Sequence, residues 1–276
     1  MKRTFFYISV LFIIMAALAS ADVKTTAGIK SLQPSKIGEF ATFGKNPEDE
    51  NDWFVSNPNG EFYHFWSYVG YGDSQWDVFC GYEESFTASS TLAPTANYSY
   101  GADNLSNEKM LRNYRIGGFR DAAWCEGVKG YGIGERVNMS IRTKSCNEGN
   151  DNDICFTGLM IVNGYAKDAA TWKNNSRVKT LRLYVGGKPW CDLQLKDTIK
   201  PQIFEFEKAY RIYPAKSGKK IPEKGAFTKP CKECGVEKVP VYQTDLTFEI
   251  VEVYPGSKYD DTCITGIALD VSGGLY

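Results

Sequence analysis

The chain has 276 residues, 43% of them hydrophobic, with 32 Lys and Arg against 33 Asp and Glu and a formal net charge of −1. No basic surplus is available for a phosphate backbone, which argues against nucleic acid as a partner. At about 100–200 residues per domain, this length fits one large domain, or one domain with a small appendage.

Lys2 and Arg3, an apolar run over 5–18 and the triplet Ala19-Ser20-Ala21 make a secretory signal peptide, residues 1–21. The run is shorter than the roughly 20 residues a spanning helix needs, so no membrane span is expected. Cleavage would start the mature chain at Asp22 and leave 30 basic against 33 acidic residues. With no cysteine near the cleavage site, the expected product is secreted, periplasmic or held at the cell surface. Residues 22–85 form an amino-terminal extension. Its first part is thin in apolar residues and ends in a charged stretch over 45–52, the composition of a mobile lead. A dense aromatic series from Trp53 to Phe79 follows, read as an added hairpin packed on the main domain or as an exposed platform.

From residue 86 to the end the pattern is strand-like. Val137, Met139 and Ile141 alternate with polar residues, as do Leu181, Leu183 and Val185, and Leu246, Phe248 and Ile250. Each reads as a strand with one wet face. The continuous apolar run 159–162 reads as a strand buried on both sides. Turn signals at Asn163-Gly164, Gly186-Gly187, Pro255-Gly256 and Gly273-Gly274 complete an all-β sandwich.

Eight cysteines in an exported chain read as disulfides. Cys146 and Cys155 flank a polar hairpin loop, and Cys231 and Cys234 can pair locally; the other pairings stay open. One C-x-x-C and one histidine are too few for a zinc site, which needs about four ligands. The flanking pattern is not that of a thioredoxin-like fold either. The single histidine, His64, sits among aromatic residues and reads as an ordinary core or surface side chain. No two carboxylates are marked as a glycosidase pair. No organic cofactor is expected.

Six blocks in order carry a resemblance: A-S-S-T-L-A-P (88–94), N-Y-S-Y-G-A-D-N-L (97–105), A-W-C-E-G-V-K-G-Y-G-I-G-E (123–135), V-N-G-Y-A-K (162–167), N-N-S-R-V-K (174–179) and V-Y-P-G-S-K-Y-D-D-T-C-I-T-G-I (253–267). Over residues 88–270 the chain resembles the discoidin-like, galactose-binding-type domain that forms the translocation and glycan-binding part of bacterial NAD-glycohydrolase toxins. The resemblance implies an antiparallel jelly-roll β-sandwich over 86–276, with a ligand held by loops at one end. It carries no NAD-glycohydrolase activity, which resides in a separate catalytic domain. The segment 107–120 is longer than the turn expected there, and Gly266 stands where many relatives place a glutamate, so no ligand role follows at that position.

A sugar offers an apolar CH face to an aromatic ring and hydroxyls to Arg, Asn or Asp. Trp172, Tyr131, Trp124, Arg120 and Asn174 supply those types within the loop-like blocks. Trp124 reads equally as a core plug at the loop base. Domains of this resemblance often hold a structural calcium ion, and Asp121, Glu126, Asp260 and Asp261 are the candidate ligands, unless they are solvated turn residues. The expected function is an exported bacterial module that binds a glycan or glycoconjugate without catalysis. The rivals are a structural or surface-protein-binding module and a carbohydrate-active hydrolase.

Overall fold

The computed structural model describes residues 28–40, 53–56, 62–65, 79–106, 123–145, 154–211, 219–220 and 241–273. They form an all-β sandwich. One leaf runs β6 (Phe79–Ala88), β8 (Arg136–Ser145), β14 (Val241–Tyr254), β10 (Ser176–Val185) and β11 (Lys188–Gln194), each neighbour antiparallel. The other runs β12 (Gln202–Arg211), β9 (Ile154–Asn163) and β15 (Thr262–Gly273), also antiparallel, with the two-residue β7 (Trp124–Cys125) alongside β15.

The leaves join through a short parallel contact, Ser176 opposite Thr262 and Arg177 opposite Cys263. A second parallel pairing sets β1 (Lys30–Leu32) on the edge of β11. The sheet is therefore mixed where antiparallel pairing throughout was expected. The leaves close on one another at one end, and an early segment is recruited to an edge.

Alternation in sequence becomes the core. Val137, Met139 and Ile141 of β8, Leu181 and Leu183 of β10, and Leu246, Phe248 and Ile250 of β14 are buried on the inner face. They meet Leu159, Ile161, Phe204, Ile267 and Leu269 of the other leaf in one cluster. On β9, Met160 and Val162 alternate to the opposite face and are buried as well, as the unbroken apolar run implies. Gly186 and Gly187, both at positive φ, make the two-residue hairpin between β10 and β11, a turn that glycine enters without Cβ strain.

The outer face of β10 departs from a plain wet surface. Arg182 is buried, its Nε and Nη2 donating to Asp192 at 2.7 and 2.9 Å. The Tyr184 hydroxyl donates to Glu249 at 2.8 Å, and the Arg136 guanidinium lies 5.3 Å from the Tyr184 ring centre. Long polar side chains here cover one another.

Part of the expected mobile lead is also strand. β1 pairs with β11, and β2 (Lys36–Ile37) pairs with β12, with Ser35 N donating to Ile203 O and Gly38 N to Pro201 O at 2.8 Å each. Lys30 and Lys36 add ion pairs with Glu207 and Glu205. Apolar content missed these strands because backbone hydrogen bonds at sheet edges do much of the holding, with Leu32 packing against the core from β1. β3 (Glu39–Phe40), β4 (Trp53–Ser56) and β5 (Phe62–Phe65) form a separate antiparallel sheet. The side chains of the aromatic series, His64 included, lie outside the described residues.

Cys125 and Cys263, directly opposite on β7 and β15, form a disulfide across 138 positions of sequence. Cys191 on β11 is a free buried thiol that burial pushes up to about 12, so the reading of every cysteine as a bridge does not hold. Cys146, Cys231, Cys234 and the Cys155 side chain lie outside the described residues, and so does their pairing. Among the described residues no helix is long and apolar enough to cross a membrane.

A bridge that closes so long a loop stabilises mainly by restricting the unfolded chain, with about 2–5 kcal/mol lost on its removal. The double variant Cys125→Ser, Cys263→Ser should therefore melt well below the parent in calorimetry. The Cys191 thiol should stay unreactive to alkylation until the chain unfolds.

Candidate functional site

Several connections meet at one end of the sandwich: the segment after β6, the β7–β8 loop, the β9–β10 connection with the short helix α1 (Ala169–Asn174), and the β14–β15 loop. Between them lies a cleft of about 310 Å³. Four tyrosines line it, Tyr98, Tyr100, Tyr165 and Tyr259, together with Leu92, Lys167, Thr171, Asn175 and Asp261, while the Cys125 end of the disulfide lies against it.

Each wall has a local cause. The segment after β6 is tied down by backbone bonds from Leu92 N to Cys125 O and from Cys125 N to Tyr100 O. Buried Asn104 adds bonds from its amide to Ser99 O and Ala123 O at 2.9 and 3.0 Å. Tyr100 and Tyr165 meet edge to face with centroids 6.1 Å apart, a favoured aromatic geometry. α1 starts at Asp168, whose carboxylate accepts from Thr171 N at 2.7 Å; that bond holds the Asp168 carboxyl below its usual range. Lys167 donates to the Tyr98 hydroxyl at 2.9 Å and its ammonium stands 4.2 Å from the Tyr98 ring centre.

The residues expected at the site are distributed differently. Trp124 is 0% exposed, a core plug whose Nε1 donates to Ser90 O at 3.0 Å; its rings cannot meet a ligand. Trp172 is a pillar. Its Nε1 donates to Asn163 O at 2.9 Å and the Arg177 guanidinium lies 4.7 Å from its ring centre. Gly164, at φ +74°, is glycine because a Cβ there would overlap both Arg177 and Trp172. Asn174 clasps the β14–β15 loop, its carbonyl accepting from Lys258 N and Tyr259 N and its Oδ1 from Ser257 Oγ. Tyr131 is 39% exposed but outside the cleft lining, its carbonyl accepting from Thr262 Oγ1 at 2.8 Å. Arg120 and Asp121 lie outside the described residues.

Glu126 is fully buried, and its carboxylate accepts from Val128 N at 2.8 Å and Thr262 N at 3.1 Å, fastening the β7–β8 loop to β15. Burial raises its pKa against those two bonds. Burial also raises Asp261, helped by neighbouring Asp260, which is exposed. A calcium ion takes about six to eight oxygens. Glu126 is committed to backbone amides, and among the described residues no three His, Cys, Asp or Glu gather as a metal site.

Sequence reasoning missed the tyrosines. The signal was there: Tyr98, Tyr100 and Tyr165 stand beside asparagine or glycine, and Tyr259 follows Pro255-Gly256 by three residues and precedes Asp260-Asp261, the marks of a loop.

Gly132 sits at φ +64° with the Glu126 side chain where a Cβ would go. Gly132→Ala should lower the melting temperature by several degrees, since the strained backbone alone costs about 1–3 kcal/mol. The folded Glu126 pKa lies above its ordinary 4.5, so its contribution to stability is present below that value and lost as pH rises through the folded pKa. Melting curves against pH should fall across that interval in the parent and run flatter in Glu126→Gln.

No curated protein matches the chain. Residues 78–270 match the family model described as the NAD glycohydrolase translocation F5/8 type C domain. The match begins one residue before β6 and ends within β15, so it takes in the sandwich apart from the edge strands β1 and β2, together with the cleft walls and the disulfide. The chain belongs to that discoidin-like family.

Proposed function

We propose that this protein is an exported bacterial glycan-binding module without catalytic activity, its ligand held in the tyrosine-lined cleft. The observation that carries the reading is the cleft lining: four tyrosines beside a few polar side chains. Sugar sites combine aromatic surface for CH faces with a few fixed hydroxyl partners, and a pocket of this kind suits one or two sugar rings. Hydrolysis of a glycosidic bond uses a pair of carboxyl groups. Among the described lining residues Asp261 is the one carboxylate, which supports binding over turnover. Family membership supports a binding or translocation role, and the signal-peptide pattern of residues 1–21 supports export.

A second reading has its own observation. Val128, Tyr131 and Ile133 on the β7–β8 loop are 40%, 39% and 59% exposed, an apolar rim suited to contact with a surface protein.

A glycan array probed with the purified chain, disulfides intact, with and without calcium, separates them. Selective binding to a sugar class is expected, weakened roughly tenfold or more, about 1.4 kcal/mol, by Tyr259→Ala or Tyr100→Ala. Tyr131→Ala should leave it unchanged. A blank array in both conditions, or loss with Tyr131→Ala alone, would move the assignment to the protein-binding loop.

A further inference from the structure

This inference rests on the glycan-binding reading and concerns the chemistry of the ligand. Among the described residues that line it, the cleft holds one cation, Lys167, and one carboxylate, Asp261, and they differ in how they are satisfied. Lys167 is engaged with Tyr98 through both a hydrogen bond and its ring face, and it lies close enough to Asp168 to stabilise that carboxylate. Among the described residues Asp261 has no such partner: its side chain meets its own backbone amide, and the charges acting between it and its surroundings belong to Asp260 and Glu126, both acidic. Glu126 is in turn occupied by the amides of Val128 and Thr262. Among the described residues the cleft charge that lacks a counter-ion is therefore negative and partly desolvated, and a cation would be held there more strongly than in water.

The walls favour the same sign. A tyrosine ring attracts an ammonium group to its face, and two rings of this cleft already show it within the chain: Lys167 lies 4.2 Å from the Tyr98 centre and Lys258 lies 4.8 Å from the Tyr259 centre. Lys258 is not among the cleft-lining residues, whereas Tyr259 and Asp261 both are. We infer that the sugar bound here carries a free, protonated amine, a hexosamine unit whose ammonium group pairs with Asp261 while its ring packs on the cleft tyrosines. Acetylation would abolish the charge and add bulk at the same point, so the site should distinguish the free amine from its acetylated form.

The test is calorimetric titration of the full chain, in mildly acidic buffer, with a glucosamine tetrasaccharide, its fully N-acetylated counterpart and a glucose tetrasaccharide of the same linkage. The amine form should bind about tenfold or more tighter than either neutral form, the difference expected for one partly desolvated ion pair. Added salt should narrow the gap, and Asp261→Asn should close it without shifting the melting temperature. The comparison among ligands on the parent protein needs no variant, so it stands even if Asp261→Asn folds poorly. Equal or tighter binding of a neutral form, or an amine preference that survives in folded Asp261→Asn, overturns the inference and leaves the glycan site standing. No binding of the amine form also overturns it, and together with a blank glycan array removes the glycan reading too.

Discussion

One guanidinium holds the functional end of the molecule together. Arg177 is the second residue of β10, at the point where the two leaves join, opposite Cys263. Its Nε and Nη2 grip Asp197 at 3.0 and 2.9 Å, and its Nη1 donates to the carbonyls of Asn175 and Pro255. Its flat face stacks on Trp172. A planar group with donors along its edges can brace three chain segments at once, which a lysine at the same place could not do. The corner after α1, the turn into the β14–β15 loop and the segment after β11 all keep their positions through this side chain.

The cleft follows from that brace. With Asn175 and Pro255 held, Ser176 completes the arrangement: its hydroxyl donates to Tyr259 O, and Gly256 N donates to it in turn. Tyr259 and Asp261 are thus presented on a loop whose backbone is bonded at both flanks. On the opposite wall Tyr98 and Tyr100 rest on a segment pinned by Asn104 and the disulfide strand. Binding surfaces built on loops gain from this kind of support, because little freedom remains to be lost when a ligand arrives.

The sandwich was legible in the sequence and the site only partly so. Strand alternation at 137–141, 181–185 and 246–250 is dictated by a two-residue repeat, and the structure keeps it. Trp172 was a candidate contact within a loop-like block, yet a loop also surrounds an aromatic ring that an arginine covers. Glu126 was a candidate calcium ligand through the family resemblance; its tie to the amide of Thr262, 136 positions away, is a relation no local pattern shows. The pairing of Cys125 with Cys263 had the same character: each lies in a recognisable block, and only the adjacency of β7 and β15 joins them. Long-range backbone contacts hid the strands at 30–32 and 36–37 for the same reason.

Those two small strands have a consequence for how the protein behaves among copies of itself. β11 and β12 would each otherwise present an edge of unpaired amides and carbonyls, a surface on which another strand can grow. β1 covers one edge with three residues and β2 the other with two, and lysines at Lys30 and Lys36 place charge along both rims. A cover so short offers almost no template of its own. At β11 and β12 the sheet thus ends in stubs that discourage further addition, and a chain trimmed back past residue 37 would carry two fresh edges open to pairing with other copies.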